Sequence, residues 1–146
     1  MIRVQKEDFD ISEEISSLNR RNVGALASFV GLVRDSNNEI TAMTLEHYPG
    51  MTEKKLAEIE TEARRRWNLQ DCLIIHRYGR LEPGDNIVMV IAASRHRQSA
   101  LEACAFLIDW LKTSAPFWKY EERNQGAEWV KARTSDTIAS KKWKTS

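Results

Sequence analysis

The stretch "NIVMVIAAS", residues 86–94, constrains this chain more than any other. It is apolar at every position from Ile87 to Ala93, with no polar side to turn toward water. A half-exposed strand alternates, so a run without alternation predicts a central strand. The remaining elements have to be arranged around it.

Upstream, "IRVQ" at 2–5 reads as a short strand, and "DISEEISSLNR" at 10–20 as a short helix. Asp10 is its N-cap, with Glu13 three residues on in a capping-box-like start. "VGALASFVGLVR", 23–34, predicts a strand in which Gly24 and Gly31 allow bends or bulges. "EITAMTLEHY", 39–48, alternates as a half-buried strand does. "MTEKKLAEIETEARRRW", 51–67, is the clearest helix, because Leu56, Ile59, Ala63 and Trp67 recur on one face. Its Arg64-Arg65-Arg66 run suits a helix C-terminus with Glu60 and Glu62 as partners, in preference to a binding patch. "DCLIIHRYG", 71–79, is an apolar strand joined to 86–94 by a turn through Pro83 and Gly84. "HRQSALEACAFLIDWLK", 96–112, is a second helix, stopped before Pro116, after which "FWKYEER" returns as a strand.

From residue 40 to 123 the order is β-α-β-β-α-β. That is the split-βαβ arrangement, an α+β sheet covered by two helices, with an N-terminal strand and helix and a C-terminal segment added. A length of 146 residues suits one domain, and no repeat or linker divides residues 1–146. Residues 131–146 form a basic tail, in which Lys131, Arg133, Lys141, Lys142 and Lys144 face Asp136 alone; such tails are commonly solvated and mobile.

Composition narrows the function. A net charge of +1 is too balanced for bulk attraction to nucleic acid or anionic membrane. No segment has the length and apolarity of a membrane span or a signal peptide, and a cytoplasmic protein is expected. Cys72 and Cys104 are single cysteines without metal or disulfide spacing. Anion binding, if present, has to be local. "SRHRQ", 94–98, puts Arg95, His96 and Arg97 at a strand-to-helix junction, where free backbone amides already favour anions and acids are the usual choice. Arg34 leaves the end of an apolar strand and carries little weight alone. His47 and His76 read as structural histidines, with no metal-ligand spacing around either.

Two lysines remain. In "LKTSAPFWKYE", 111–121, Lys112 closes the second helix and Lys119 stands among Phe117, Trp118 and Tyr120. An amine in such surroundings can have a lowered pKa and act as acid, base or nucleophile. On spacing alone the plainer reading wins for each, a helix-end cation for Lys112 and an edge-strand lysine for Lys119. An RNA-binding sheet with three surface aromatics is the competing class, but no RNP-like string of alternating aromatics is present. A scaffold subunit without catalysis is a third reading.

Taken together, "SFVGLVR", "LEHYPGMTEK", "IIHRYGRLEPGD", "SRHRQSALEAC" and "LKTSAPFWKYE" resemble successive motifs of the large, catalytic subunit of molybdopterin synthase. The resemblance runs in order from about residue 20 to "KKW" near the end. It implies an α/β hammerhead fold and a sulfurtransferase without a cofactor of its own. The reaction implied converts cyclic pyranopterin monophosphate into molybdopterin by installing a dithiolene. Sulfur would arrive as a thiocarboxylate on the C-terminal Gly-Gly tail of a small ubiquitin-like subunit, in a heterotetramer built on a dimer of the large subunit. By the same resemblance Lys112 and Lys119 match the active-site lysines, and Arg34, His96 and Arg97 match substrate-anion residues. Arg133 matches an arginine contributed across the dimer. Two departures stand out: the loop "DSNNE" after Arg34 is short, and Tyr120 stands where relatives often carry a base.

Overall fold

The computed structural model describes residues 1–35, 39–123, 126–130 and 134–143. Twelve elements follow in order: β1 (Ile2–Gln5), α1 (Ile11–Ser17), β2 (Ala25–Leu32), β3 (Ile40–His47), α2 (Met51–Trp67) and β4 (Asp71–Arg77). Then come β5 (Gly79–Leu81), β6 (Asn86–Ser94), α3 (Arg97–Thr113), β7 (Phe117–Arg123), β8 (Gly126–Val130) and α4 (Thr134–Lys141).

The apolar run forms β6, which lies inside a four-stranded sheet of order β1-β4-β6-β2. It pairs antiparallel with β4 and β2, while β1 runs parallel to β4 at the edge. Alternate residues serve opposite faces. Ile74, Val90 and Ala92 enter the main core with Leu56, Ala63, Ala103 and Leu107 of α2 and α3. Leu73, Ile75, Met89 and Ile91 pack on the other face with Phe9, and with Ile15 and Leu18 at and just past the end of α1. Because both faces are covered, neither strand can alternate. Asp10 caps α1 as expected, its Oδ1 accepting from the Glu13 amide at 3.0 Å. The arginines closing α2 bond to Glu60 and Glu62, also as expected.

The order β-α-β-β-α-β is present with one short strand, β5, added to it, but not in one sheet. β3 and β7 belong to a second sheet of order β5-β3-β7-β8. The division has a physical reason. β3 and β7 carry polar residues at alternate positions and tolerate one wet face, whereas β4 and β6 need two dry ones. The strand read at 71–79 ends at Arg77, and the chain bends through Tyr78 and Gly79, whose φ is +92°, so that β5 joins the second sheet. A single ribbon thus serves both sheets. Within the segment read as a basic tail, α4 packs against α3. Trp143 sets its ring edge-on to Trp67 and Phe106, and its indole N–H donates to Asp109 at 2.6 Å.

Two close contacts fix the strand ends. A Cβ on Gly24 would lie 2.1 Å from the Arg95 carbonyl oxygen, so only glycine lets β2 pass the β6–α3 junction there. Thr52, fully buried at the start of α2, accepts from the Tyr48 amide at 3.0 Å and donates to the Pro116 carbonyl at 3.1 Å. That pair of bonds ties the β3–α2 junction to the turn that leads into β7.

Candidate functional site

Lys112 sits in the last turn of α3 and is exposed. Ser114 ends the helix, its amide donating to the Trp110 carbonyl at 2.7 Å, and Pro116 prevents continuation. β7 starts immediately, and Lys119 is its third residue, between Leu45 of β3 and Val130 of β8. The seven-residue spacing therefore straddles a turn and brings both amines to one place.

Strand alternation decides which neighbours Lys119 has. Phe117, Lys119 and Glu121 share one face of β7, while Trp118 and Tyr120 take the other. The inner face is where the sheets meet. There the Phe117 ring stacks on His76 at 3.7 Å with 16° between planes, and His47 lies 6.3 Å from Phe117 and 4.2 Å from Tyr78. Glu121 is buried and accepts from Arg123 at 2.8 Å. His47 Nε2 is 3.6 Å from Glu53 Oε1. Trp118 is instead exposed beside Tyr48, and Tyr120 lies against Trp129, so the aromatic run makes no single stacking platform.

These surroundings act on the ionisable groups. Burial holds the Lys119 amine below the ordinary lysine range, and the Lys112 ammonium pushes it further down. Asp136 and Glu121 oppose this without cancelling it. Burial holds His76 down at about 4, helped by Lys119, Lys112 and His47 and opposed by its bond to the Arg77 carbonyl. At neutral pH that ring is uncharged. The two cysteines are buried, and burial raises Cys72 to about 12 and Cys104 to about 11, which leaves both thiols unreactive at neutral pH. A cavity of about 190 Å³ between α2, α3 and α4 is lined by Ile59, Phe106, Trp110 and Trp143 and by neither lysine.

The anion-binding candidates are elsewhere. His96 is the N-cap of α3 and Arg97 its first residue; both are exposed, the first turn carries no acid, and no side chain caps the helix. Lys112 is a full helix length away, roughly 23 Å at 1.5 Å per residue. Arg34 is exposed just past β2, next to Val33, whose amide donates to the Asp85 carbonyl at 2.9 Å. β2 and β6 pair Ala25 with Ser94 and Leu32 with Asn86, so Arg34 is at the end of the sheet opposite Ser94, His96 and Arg97. Within one chain, then, Arg34 and the two lysines share an end, and His96 with Arg97 occupies the other. Arg133 and most of the short loop after Arg34 lie outside the described residues.

Reading the sequence missed the surroundings of Lys119: the His76 stack, the His47–Glu53 pair, buried Glu121 and Asp136 from α4. One signal was present, a histidine inside the otherwise apolar "CLIIH".

The model of the family described as MoaE protein matches residues 4–114. A protein of Mesorhizobium japonicum named molybdopterin synthase catalytic subunit is 52% identical over 149 residues, covering 99% of this chain and 94% of that one. The structure of a molybdopterin biosynthesis MoaE protein from Burkholderia ambifaria superposes with a TM-score of 0.84 at 51% identity, over 99% and 98% of the two chains. A structure of molybdopterin synthase from Staphylococcus aureus gives 0.80 at 30% identity, over 88% and 95%. The fold thus recurs with end-to-end sequence similarity, and this chain belongs to the MoaE family of molybdopterin synthase catalytic subunits.

Proposed function

We propose that the chain is the catalytic subunit of a molybdopterin synthase, acting as one 146-residue unit in the cytoplasm. It transfers sulfur from the C-terminal thiocarboxylate of a small ubiquitin-like partner to cyclic pyranopterin monophosphate. The observation that carries the reading is Lys119, a half-buried amine of lowered pKa beside Lys112 at the turn between α3 and β7. No helix among the described residues is long and apolar enough to cross a membrane.

The chemistry assigns the roles. The thiocarboxylate sulfur attacks a side-chain carbon of the pterin, forming a carbon–sulfur bond while a carbon–oxygen bond at that carbon breaks and its oxygen leaves protonated; the carrier stays joined through a thioester. Water then cleaves the acyl–sulfur bond, the carrier leaves as a carboxylate, and the sulfur stays on the pterin. A second loaded carrier repeats the step at the adjacent carbon. Each addition moves protons at the reacting carbons, and an amine whose pKa burial brings toward neutrality can give and take them; this is the role of Lys119. Lys112, exposed and cationic, holds the carrier's terminal carboxyl and steadies the oxyanion formed when water attacks the thioester. Arg34, His96, Arg97 and Arg133 bind the phosphate and pterin through charge-assisted hydrogen bonds.

Since Lys112 and Arg97 sit at opposite ends of α3, one chain does not assemble the set. A homodimer does, if the His96–Arg97 end of one copy meets the lysine end of the other. The small subunits added to that dimer make a heterotetramer.

Single-turnover mixing of the chain with thiocarboxylated carrier and cyclic pyranopterin, read by mass spectrometry, tests the reaction. The two-sulfur product should form with the native chain. Lys119→Ala should slow it by about 10²–10⁴-fold, the usual scale for losing a general acid–base group, while carrier binding persists. Undiminished turnover in that variant would remove Lys119 from the chemistry.

A further inference from the structure

His76 is the only buried histidine of the three, and the reaction described above gives it no part. Its Nδ1 is 2.8 Å from the Arg77 carbonyl. A carbonyl only accepts, so Nδ1 carries the proton and the tautomer is set by the strand's own backbone. The face of the ring is flat against Phe117. Phe117 pairs with His47 across the β3–β7 ladder, and Lys119 follows two residues later on the same face. Tyr78, His47, Phe117 and His76 thus form a continuous row of rings along the seam between the sheets, immediately before the amine.

Titratable groups reach this seam from every element around it. Lys119 and Glu121 come from β7, Lys112 from α3, Asp136 from α4, and His47 from β3 with Glu53 of α2 beside it. A cationic ring beside Lys112 and Lys119 would be repelled by both. A neutral ring instead fills the space without adding charge and without admitting water.

We propose that His76 is a positioning residue for Lys119: its ring, stacked on Phe117, fixes the start of β7 and keeps water away from the amine. The inference rests on Lys119 being the proton-transferring group, and it names what holds that group in its working state. Phenylalanine can replace the ring but not the hydrogen bond to Arg77, whereas glutamine and alanine supply no ring at all.

The test reads the amine directly, without turnover. The full chain is trace-labelled with acetic anhydride across a pH series, and mass spectrometry follows each lysine, with Lys54 and Lys55 as internal references. In His76→Gln and His76→Ala, Lys119 should titrate roughly one pH unit higher than in the native chain, as desolvation is relieved. In His76→Phe it should stay within a few tenths of a unit, by the same reasoning. The pH profile of single-turnover rate should move with the Lys119 titration, at unchanged carrier affinity. An unmoved Lys119 in folded His76→Gln protein would reduce His76 to core packing and overturn the proposal. A shift in His76→Phe as large as that in His76→Gln would do the same, and the phenylalanine arm decides the matter if the smaller variants do not fold. If the titrations behave as expected but Lys119→Ala turns over normally, the positioning stands and the assignment of proton transfer to Lys119 fails.

Discussion

In the unfolded chain His76 takes up a proton near pH 6.5, but in the folded protein burial delays this to about pH 4. Above pH 6.5 the residue costs nothing. As pH falls from there toward 4, the unfolded state binds a proton that the native state refuses, and stability is lost. At about 1.4 kcal/mol per pKa unit, the whole window removes on the order of 3 kcal/mol. Urea titrations between pH 7 and 5 should show this decline, and His76→Phe should flatten it; equal slopes for the two proteins would contradict a buried neutral imidazole. At this scale the sequence was only partly legible. Lys119 stood out by its aromatic neighbours, but its lowered pKa comes from burial and from Lys112, Asp136 and Glu121, which only the fold brings near. His76 was read as packing, which its contacts bear out, yet nothing in "IIHR" reveals that Phe117 lies against it.

At the scale of elements, glycine placement connects folding to the proposed anion site. Gly24 lets β2 run against the carbonyl of Arg95, one residue before His96. Gly24→Ala puts a methyl against backbone that has no side-chain freedom with which to yield, and should cost about 2–3 kcal/mol. For a chain of this size that lowers the melting temperature by roughly 5–10 °C. The junction carrying His96 and Arg97 has to move, so KM for the pterin should rise while the Lys119 titration stays put. A normal KM in a destabilised protein would mean that the junction absorbs the strain without displacing its cations. Elements marked by strong local signals were legible: capped α1, amphipathic α2 with its charged ends, and the apolar strand at 86–94. β5 and β8 were not, being short strands that exist because neighbours pair with them. The partition into two sheets was also missed, although the contrast between alternating and uniformly apolar strands contained it.

For the whole molecule, the separation of charges along α3 makes a prediction about the proposed dimer. Lys119→Ala and Arg97→Ala chains are each expected to be inactive alone. A mixed dimer of the two holds one site with both defects and one with neither. It should recover about half of native turnover per dimer, since the undamaged site keeps its full positioning. No recovery on mixing, with exchange of chains verified by mass, would mean that each chain completes its own site. Which residues share a site across copies was beyond the reach of local pattern, because only the end of the helix on which a side chain falls decides it.

The ribbon formed by β4 and β5 belongs to both sheets, and the rings before Lys119 lie along the seam that it crosses. Hinge-like opening would require that ribbon to unpair from one sheet or the other, so the seam is closed to cheap motion. The ordering entropy of the groups around Lys119 is therefore lost once, when the chain folds, and not again at every encounter. A carrier tail that threads in as proposed would meet a cradle already at its working dimensions. On the proposed reaction, the entropy still to be lost at each encounter would then be that of the carrier's flexible tail.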